Sequence, residues 1–233
     1  MTLTDALLDP LLRDNPSGPR VTYYDDATGE RVELSTVTLA NWAAKSANLL
    51  RDELGAGPGS RVAVLLPAHW QTVAVLLGVW WVGAEAVLEG PADIALCTAA
   101  RLDEADQAVG AGEIAVLSLD AFGKGVDDVP VGVTDYATAV RVQGDQISPE
   151  RSPGPALAGR SVEQALGDAE NSAAAQGFTG ADRVLSSQVW DTPEQLTANL
   201  LAVFAAQASL VQVANPADDQ QRRIETEKVT KSL

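Results

Sequence analysis

The chain has 233 residues, 46% of them hydrophobic, and 32 acidic residues against 16 basic ones give it a formal net charge of −16. That length buries a sizeable core without covalent staples, and that charge opposes nucleic-acid phosphates and anionic lipid surfaces alike. A single cysteine, Cys97, excludes an internal disulfide, and a single histidine, His69, excludes a multi-histidine metal site.

The N-terminal MTLTDALLDPLLRD forms a helical turn. Asp5 and Asp9 interrupt its apolar run and no basic region precedes it, so it does not have the pattern of a signal peptide. Residues 20–24 and 31–34 are a hairpin candidate, joined by DDATGE with its turn residues Asp26 and Gly29. A helix over 39–54 follows, capped by Ser35 or Thr38 and ended by Gly55, Gly57, Pro58 and Gly59. Next comes the most informative stretch. A short apolar run at 61–66 stops at Pro67, an apolar stripe of helical period runs over 70–82, Gly83 closes the helix, and a second strand spans 84–88. Strands apolar on both faces and joined by a helix belong to a parallel sheet. The helix between them would cover about 20 Å, short of the roughly 30 Å hydrocarbon core of a bilayer. We therefore expect no membrane span. Within this helix Trp70, Trp80 and Trp81 suit core packing, with a docking surface as the alternative.

Alternation continues with a strand at 94–97, a short helix at 99–107 and a strand at 114–117. Cys97 lies in an apolar strand, which suits a buried thiol in a reducing cytoplasm. Residues 135–142 fit helix or strand, and 143–160 form an irregular Pro/Gly-rich loop. Order returns with a helix from Ser161 to about Gln176, a strand at 183–187, a helix at 193–206 opened by Thr192 and Pro193, and a strand at 210–213. Residues 1–216 thus read as a single α/β domain, and 217–233 as a polar, disordered tail. His69 sits at a helix start and reads as packing there. The carboxylates Asp103, Glu104, Asp106, Asp127 and Asp128 read as solvated surface.

The stretch VTYYDDATGERVELSTVTLANWAAKSANLLRDELGAGPGSRVAVLLPAHWQTVAVLLGVWWVGAEAVLEGP resembles the start of the adenylate-forming superfamily, which includes acyl-CoA synthetases, nonribosomal peptide adenylation domains and luciferases. Gly55, Gly59, Ser60, Arg61 and Val62 match its GxxxGDRV turn, Leu66 and Pro67 its Leu-Pro strand end, Gly83 and Ala84 its Gly-Ala helix end, and Pro91 the turn beyond. A second, weaker match is TGADRVLSSQVWDTPEQLTANLLAVFAAQASLVQV, similar to the strand, helix and strand after the family's phosphate loop. The resemblance implies a layered, mostly parallel sheet with helices on both faces, like the front half of an adenylate-forming N-terminal domain. More narrowly, the chain looks like a member of a short actinobacterial group that keeps only this front part.

Departures from the family pattern shape the functional expectation. Where the family has a loop of the type TSGTTGxPKG around the ATP phosphates, this chain has QGDQISPERSPGPALAGRSVEQ, with no Ser/Thr run and no Lys. Pro149, Pro153 and Pro155 each remove a backbone N–H, leaving Arg151 and Arg160 as its charges. By resemblance the magnesium-holding Glu, the ribose-binding Asp and the catalytic Lys are also missing. Trp190 and Asp191 stand where the family has an aromatic and a His lining its acyl pocket. These matches and gaps imply a non-catalytic remnant of a synthetase-like domain, with no cofactor, no metal and no ATP binding, that binds a partner protein or forms a homo-oligomer. Trp190, Asp191, Leu200 and Phe204 mark the candidate ligand or partner surface. The alternatives are a small-molecule (acyl or nucleotide) binder without turnover, and a ligase subunit completed by another chain.

Overall fold

A computed structural model describes residues 1–217 and 219–233. From the N-terminus, α1 (Leu3–Asp14) leads into the hairpin β1 (Pro19–Asp25) and β2 (Glu30–Ser35). Next come α2 (Thr36–Asp52), β3 (Arg61–Leu65), α3 (Trp70–Trp81), β4 (Glu85–Val87), β5 (Ile94–Thr98), α4 (Leu102–Val109), β6 (Glu113–Leu117) and β7 (Val133–Asp135). The rest holds α5 (Tyr136–Arg141), α6 (Val162–Gln176), β8 (Arg183–Ser186), and a helix made of α7 (Pro193–Leu196), a π-helical turn (Thr197–Leu201) and α8 (Ala202–Ala205). The chain closes with β9 (Ser209–Ala214), α9 (Gln221–Glu227) and β10 (Lys231–Ser232).

The α/β alternation is distributed over two five-stranded sheets. One has the order β10-β8-β9-β1-β2, parallel except for the β1/β2 hairpin, and the other β4-β3-β5-β6-β7, parallel throughout. Strand periodicity sorts side chains between layers. Val62, Val64 and Leu66 join the central core, while Ala63 and Leu65 turn to the opposite face, which α4 covers through Leu102 and Val109. Val184 and Leu210 join the same central core from the other sheet, while Leu185, Val211 and Val213 face outward beneath Ile224 and Val229. Helices α1, α2, α3, α6 and α8 contribute the middle of that core. Cys97 is fully buried and unpaired, and burial pushes its thiol up to about 11.

Every residue of α3 is buried, not only one face as its stripe suggests. A helix apolar all round has no solvent side, and α1, α2 and both sheets surround this one. Three polar contacts tie it to its surroundings: Thr4 Oγ1 donates to the Leu77 carbonyl at 2.6 Å, Trp80 Nε1 to the Ala156 carbonyl at 2.8 Å, and Trp81 Nε1 to Asp5 Oδ1 at 2.9 Å. Where α3 crosses α2, Gly78 lets the backbones meet. A Cβ there would lie 2.9 Å from Ala47 N and 2.9 Å from Ser46 Cβ.

The C-terminal segment departs from the sequence expectation. Residues 221–233 are not a disordered polar tail but a helix and a strand, with β10 paired in parallel to β8. Its charges are complementary to the hairpin rather than solvated. Arg223 pairs with Asp26 and stacks on the Tyr24 ring at 4.2 Å, and the Glu227 carboxylate, 5% exposed, accepts from Tyr24, Arg31 and Arg183. Burial alone would raise the Glu227 carboxyl, but hydrogen bonds from Tyr24, Arg183 and Arg31 outweigh it and bring it to about 2.

Two outcomes follow. Gly78→Ala overpacks a backbone crossing and should destabilise the protein by about 1–3 kcal/mol in urea unfolding; a neutral result would show that the two helices are free to separate. Because the folded Glu227 pKa lies below its ordinary 4.5, its contribution is complete above pH 4.5 and lost as pH falls towards about 2. Hydrogen exchange should show the β10 amides losing protection across that window before the central core does, and Glu227→Gln should cost about 1.5–3 kcal/mol at neutral pH. Tail amides that stay protected until the whole molecule unfolds would contradict this.

Candidate functional site

The carboxyl ends of parallel strands are where open α/β sheets leave crevices for ligands, and here β3, β4, β5 and β8 all end near one small pocket. Its walls are Val64, Leu66, Leu88, Arg101, Trp190 and Asp191, around about 240 Å³. The loop after β8 is held in place on both sides. Thr192 caps α7 in a capping box with Gln195, whose side chain also accepts from Asp191 N at 3.1 Å, and Asn199 Nδ2 donates to the Val189 carbonyl at 3.1 Å.

These restraints bury Trp190 to 2% exposure and leave its Nε1 without a hydrogen-bond partner. Buried indole N–H groups are normally satisfied, so this donor is an unmet polar group in the wall of the pocket. Arg101 supplies the positive charge. Hydrogen bonds to Glu104 at 2.8 and 2.7 Å, with the nearby Asp191 charge adding, hold the guanidinium above its usual pKa. The pocket therefore combines an aliphatic wall, one orphan donor, one cation paired with Glu104, and the Asp191 carboxylate.

Of the four sequence candidates, Trp190 and Asp191 do line this pocket. Leu200 and Phe204 do not: both are about 1% exposed and belong to the central core, as do Leu196, Leu201 and Val203. The π turn brings Leu200 and Leu201 inward together. The larger apolar side chains of 193–206 and 210–213 are likewise turned into the chain's own cores rather than onto a free apolar face. β9 lies between β8 and β1, and its outer residues Val211 and Val213 are packed against by Ile224 and Val229 of the chain's own C-terminal segment. Arg101 was overlooked, although it is the one basic residue between Asp93 and Gly112 and follows directly on a parallel strand.

His69 is the N-cap of α3 and is 2% exposed, its Nδ1 accepting from Gln71 N at 3.1 Å and its ring edge-on to Tyr23 at 4.3 Å. It shares no wall with the Trp190 pocket. Among the described residues no cluster of three or more His, Cys, Asp or Glu side chains is arranged to hold a metal, and no helix is long and apolar enough to cross a membrane.

The Pro/Gly-rich segment is packed onto α3 and β4. All nine non-proline N–H groups from Glu150 to Arg160 are engaged. Those of Glu150, Gly154 and Ala158 donate to the Trp81, Gly83 and Ala86 carbonyls, and those of Ala156, Leu157 and Arg160 close a turn within the segment. Arg151 and Ser152 both donate to Glu150 Oε1, at 2.8 and 2.9 Å, and Gly159 donates to Glu85 Oε1. Protein carboxylates thus occupy the two places where its backbone turns donors towards negative charge.

No family model matches the chain. Among solved structures, it is similar over its whole length to 47% of an acyl-CoA synthetase from Brucella canis (TM-score 0.81, 17% identity). The whole chain likewise matches 42% of an acetoacetyl-CoA synthetase from Streptomyces lividans (TM-score 0.79, 17% identity) and 47% of Mycobacterium smegmatis MbtA (TM-score 0.75, 20% identity). The chain therefore has the adenylate-forming fold over about half the length of those proteins. A TIGR03089 family protein of Mycobacterium tuberculosis is 68% identical to it, across 100% of this chain and 98% of its own length. On that similarity, this chain belongs to the TIGR03089 family.

Proposed function

We propose that this chain does not form adenylates, and that it binds a small acyl-type carboxylic acid in the Trp190 pocket without turnover. The observation that carries the reading is the complete engagement of the backbone N–H groups of Glu150–Arg160. A glycine-rich loop holds phosphates through free backbone N–H groups. Here each such contact would first require breaking a protein hydrogen bond, and displacing Glu150 or Glu85 would leave a carboxylate beside the incoming phosphate. For the ligand, a carboxyl group offers acceptors to the Trp190 N–H and to the Arg101 nitrogen that Glu104 does not use, against the opposing charge of Asp191, and the aliphatic wall of Val64, Leu66 and Leu88 suits a short apolar body. A long acyl chain exceeds about 240 Å³.

Two measurements test the two halves separately. Carboxylate-dependent exchange of labelled pyrophosphate into ATP should stay at the blank; exchange above it, abolished by substitutions in the 150–160 segment, would establish a ligase and end the non-catalytic reading. In a thermal-shift series of propionate, butyrate, benzoate and palmitate, the short acids should stabilise the protein. Arg101→Gln should remove that stabilisation while leaving the unliganded melting temperature within about 0.5 kcal/mol equivalent. Equal shifts for wild type and Arg101→Gln would place the acid elsewhere.

A further inference from the structure

At the opposite end of the first sheet, the amino ends of its three neighbouring parallel strands β8, β9 and β1 converge. Arg20 lies in β1 and is 4% exposed. Its Nε donates to Thr36 Oγ1 at 3.3 Å, and its Nη1 to the Gln207 and Ala208 carbonyls at 2.9 and 2.5 Å. All these acceptors are neutral. Burial lowers the Arg20 pKa to about 10 with no carboxylate acting against it. A guanidinium taken out of water without a counter-ion is costly, so this one calls for an anion.

Its neighbour Arg183 has carboxylate partners in Glu227 and Glu33 but a different deficit, one unmet nitrogen. Arg183 opens β8 with its side chain 12% exposed, and its Nη2 is used by Thr22 and Glu227. Its Nη1 is buried with no acceptor. Both guanidinium groups line a cavity of about 600 Å³, with Ser209 and Arg31 on its walls and the exposed Lys228 contributed by the C-terminal segment. Three carboxylates also line it, and each is already engaged: Glu227 by Tyr24, Arg31 and Arg183, Glu33 by Arg31 and Thr22, and Asp182 by Thr179 and Thr230. In a chain of net charge −16, four cations facing one cavity are a local reversal of sign.

We propose that this cavity binds a small phosphate-type oxyanion between Arg20 and Arg183, with Lys228 at its mouth. Guanidinium groups present donors in a fixed planar fork that suits an anion with several oxygens. The Trp190 pocket follows the carboxyl end of β8, and this cavity lies at the strand's amino end, so the anion is not the ligand of that pocket. The 600 Å³ volume leaves room for a phosphate bearing an organic body.

Calorimetric titration of the full chain with inorganic phosphate, glycerol 3-phosphate and acetate, at ionic strength held constant with chloride, tests this directly. Saturable binding of a phosphate is expected, with acetate much weaker. Tighter binding of glycerol 3-phosphate than of inorganic phosphate would identify an organic phosphate as the ligand, and the reverse order free phosphate. Lys228→Glu, at an exposed position, should weaken binding by about tenfold with the unliganded melting temperature unchanged, and Arg183→Lys should weaken it further. Absence of saturable binding by either phosphate, acetate binding as well as phosphate, or binding untouched by both substitutions would overturn the assignment.

Discussion

The structure depends on the burial of α3. A helix with no polar face gives the fold one solution, which is to surround it. Each of its larger side chains contributes about 1.5–3 kcal/mol by leaving water. The α2 backbone closes on it at Gly78, α1 donates a hydroxyl to its Leu77 carbonyl, and the two sheets enclose it from opposite sides. Both sheets therefore share one core, and the positions of their strand ends follow from how they grip this helix.

That enclosure also accounts for the conformation of the segment after α5. The C-terminal end of α3 and the adjoining β4 present carbonyls at Trp81, Gly83 and Ala86, and the Pro/Gly-rich chain satisfies them with its own N–H groups. A phosphate cradle needs those donors free and pointed at solvent. Three prolines lower the number of donors, and protein acceptors use the remainder from Glu150 to Arg160, so the segment acts as a strap across the core. The Trp190 pocket is unaffected, because its shape comes from strand ends and a capped helix.

Electrostatics follow the same division between ends of the molecule. The chain is strongly acidic, yet its basic residues are not evenly spread: Arg20 and Arg183 lie at the amino ends of β1 and β8, Arg31 reaches the same cavity from β2, and Glu227 and Arg223 lock the C-terminal segment over the sheet through Arg31, Arg183 and Asp26. The segment covers Leu185, Val211 and Val213, an apolar face that would otherwise call for a second chain.

Period and punctuation were enough to locate the α3 unit, the hairpin, the helix starts at Ser161 and Thr192 and most strands, because each depends on contacts within a few residues. Trp190 and Asp191 were singled out by the resemblance to the family's acyl-pocket residues, and the structure sets both on the wall of one small pocket. Long-range contacts decided the rest. Leu200 and Phe204 look like a free stripe until a π turn and α6 enclose them. Arg101 is an ordinary surface cation until β3 and the Trp190 loop arrive beside it. Residues 221–233 have the composition of a solvated tail, and only the complementary charges of Asp26, Arg31 and Arg183, distant in sequence, give them a structure. Local hydrogen bonding and hydrophobic period are properties of a short stretch of chain, so the sequence by itself determined the fold class and most elements before residue 217. Which charges meet, and which backbone donors are left for a ligand, depend on residues far apart in sequence, so only the tertiary structure decided those.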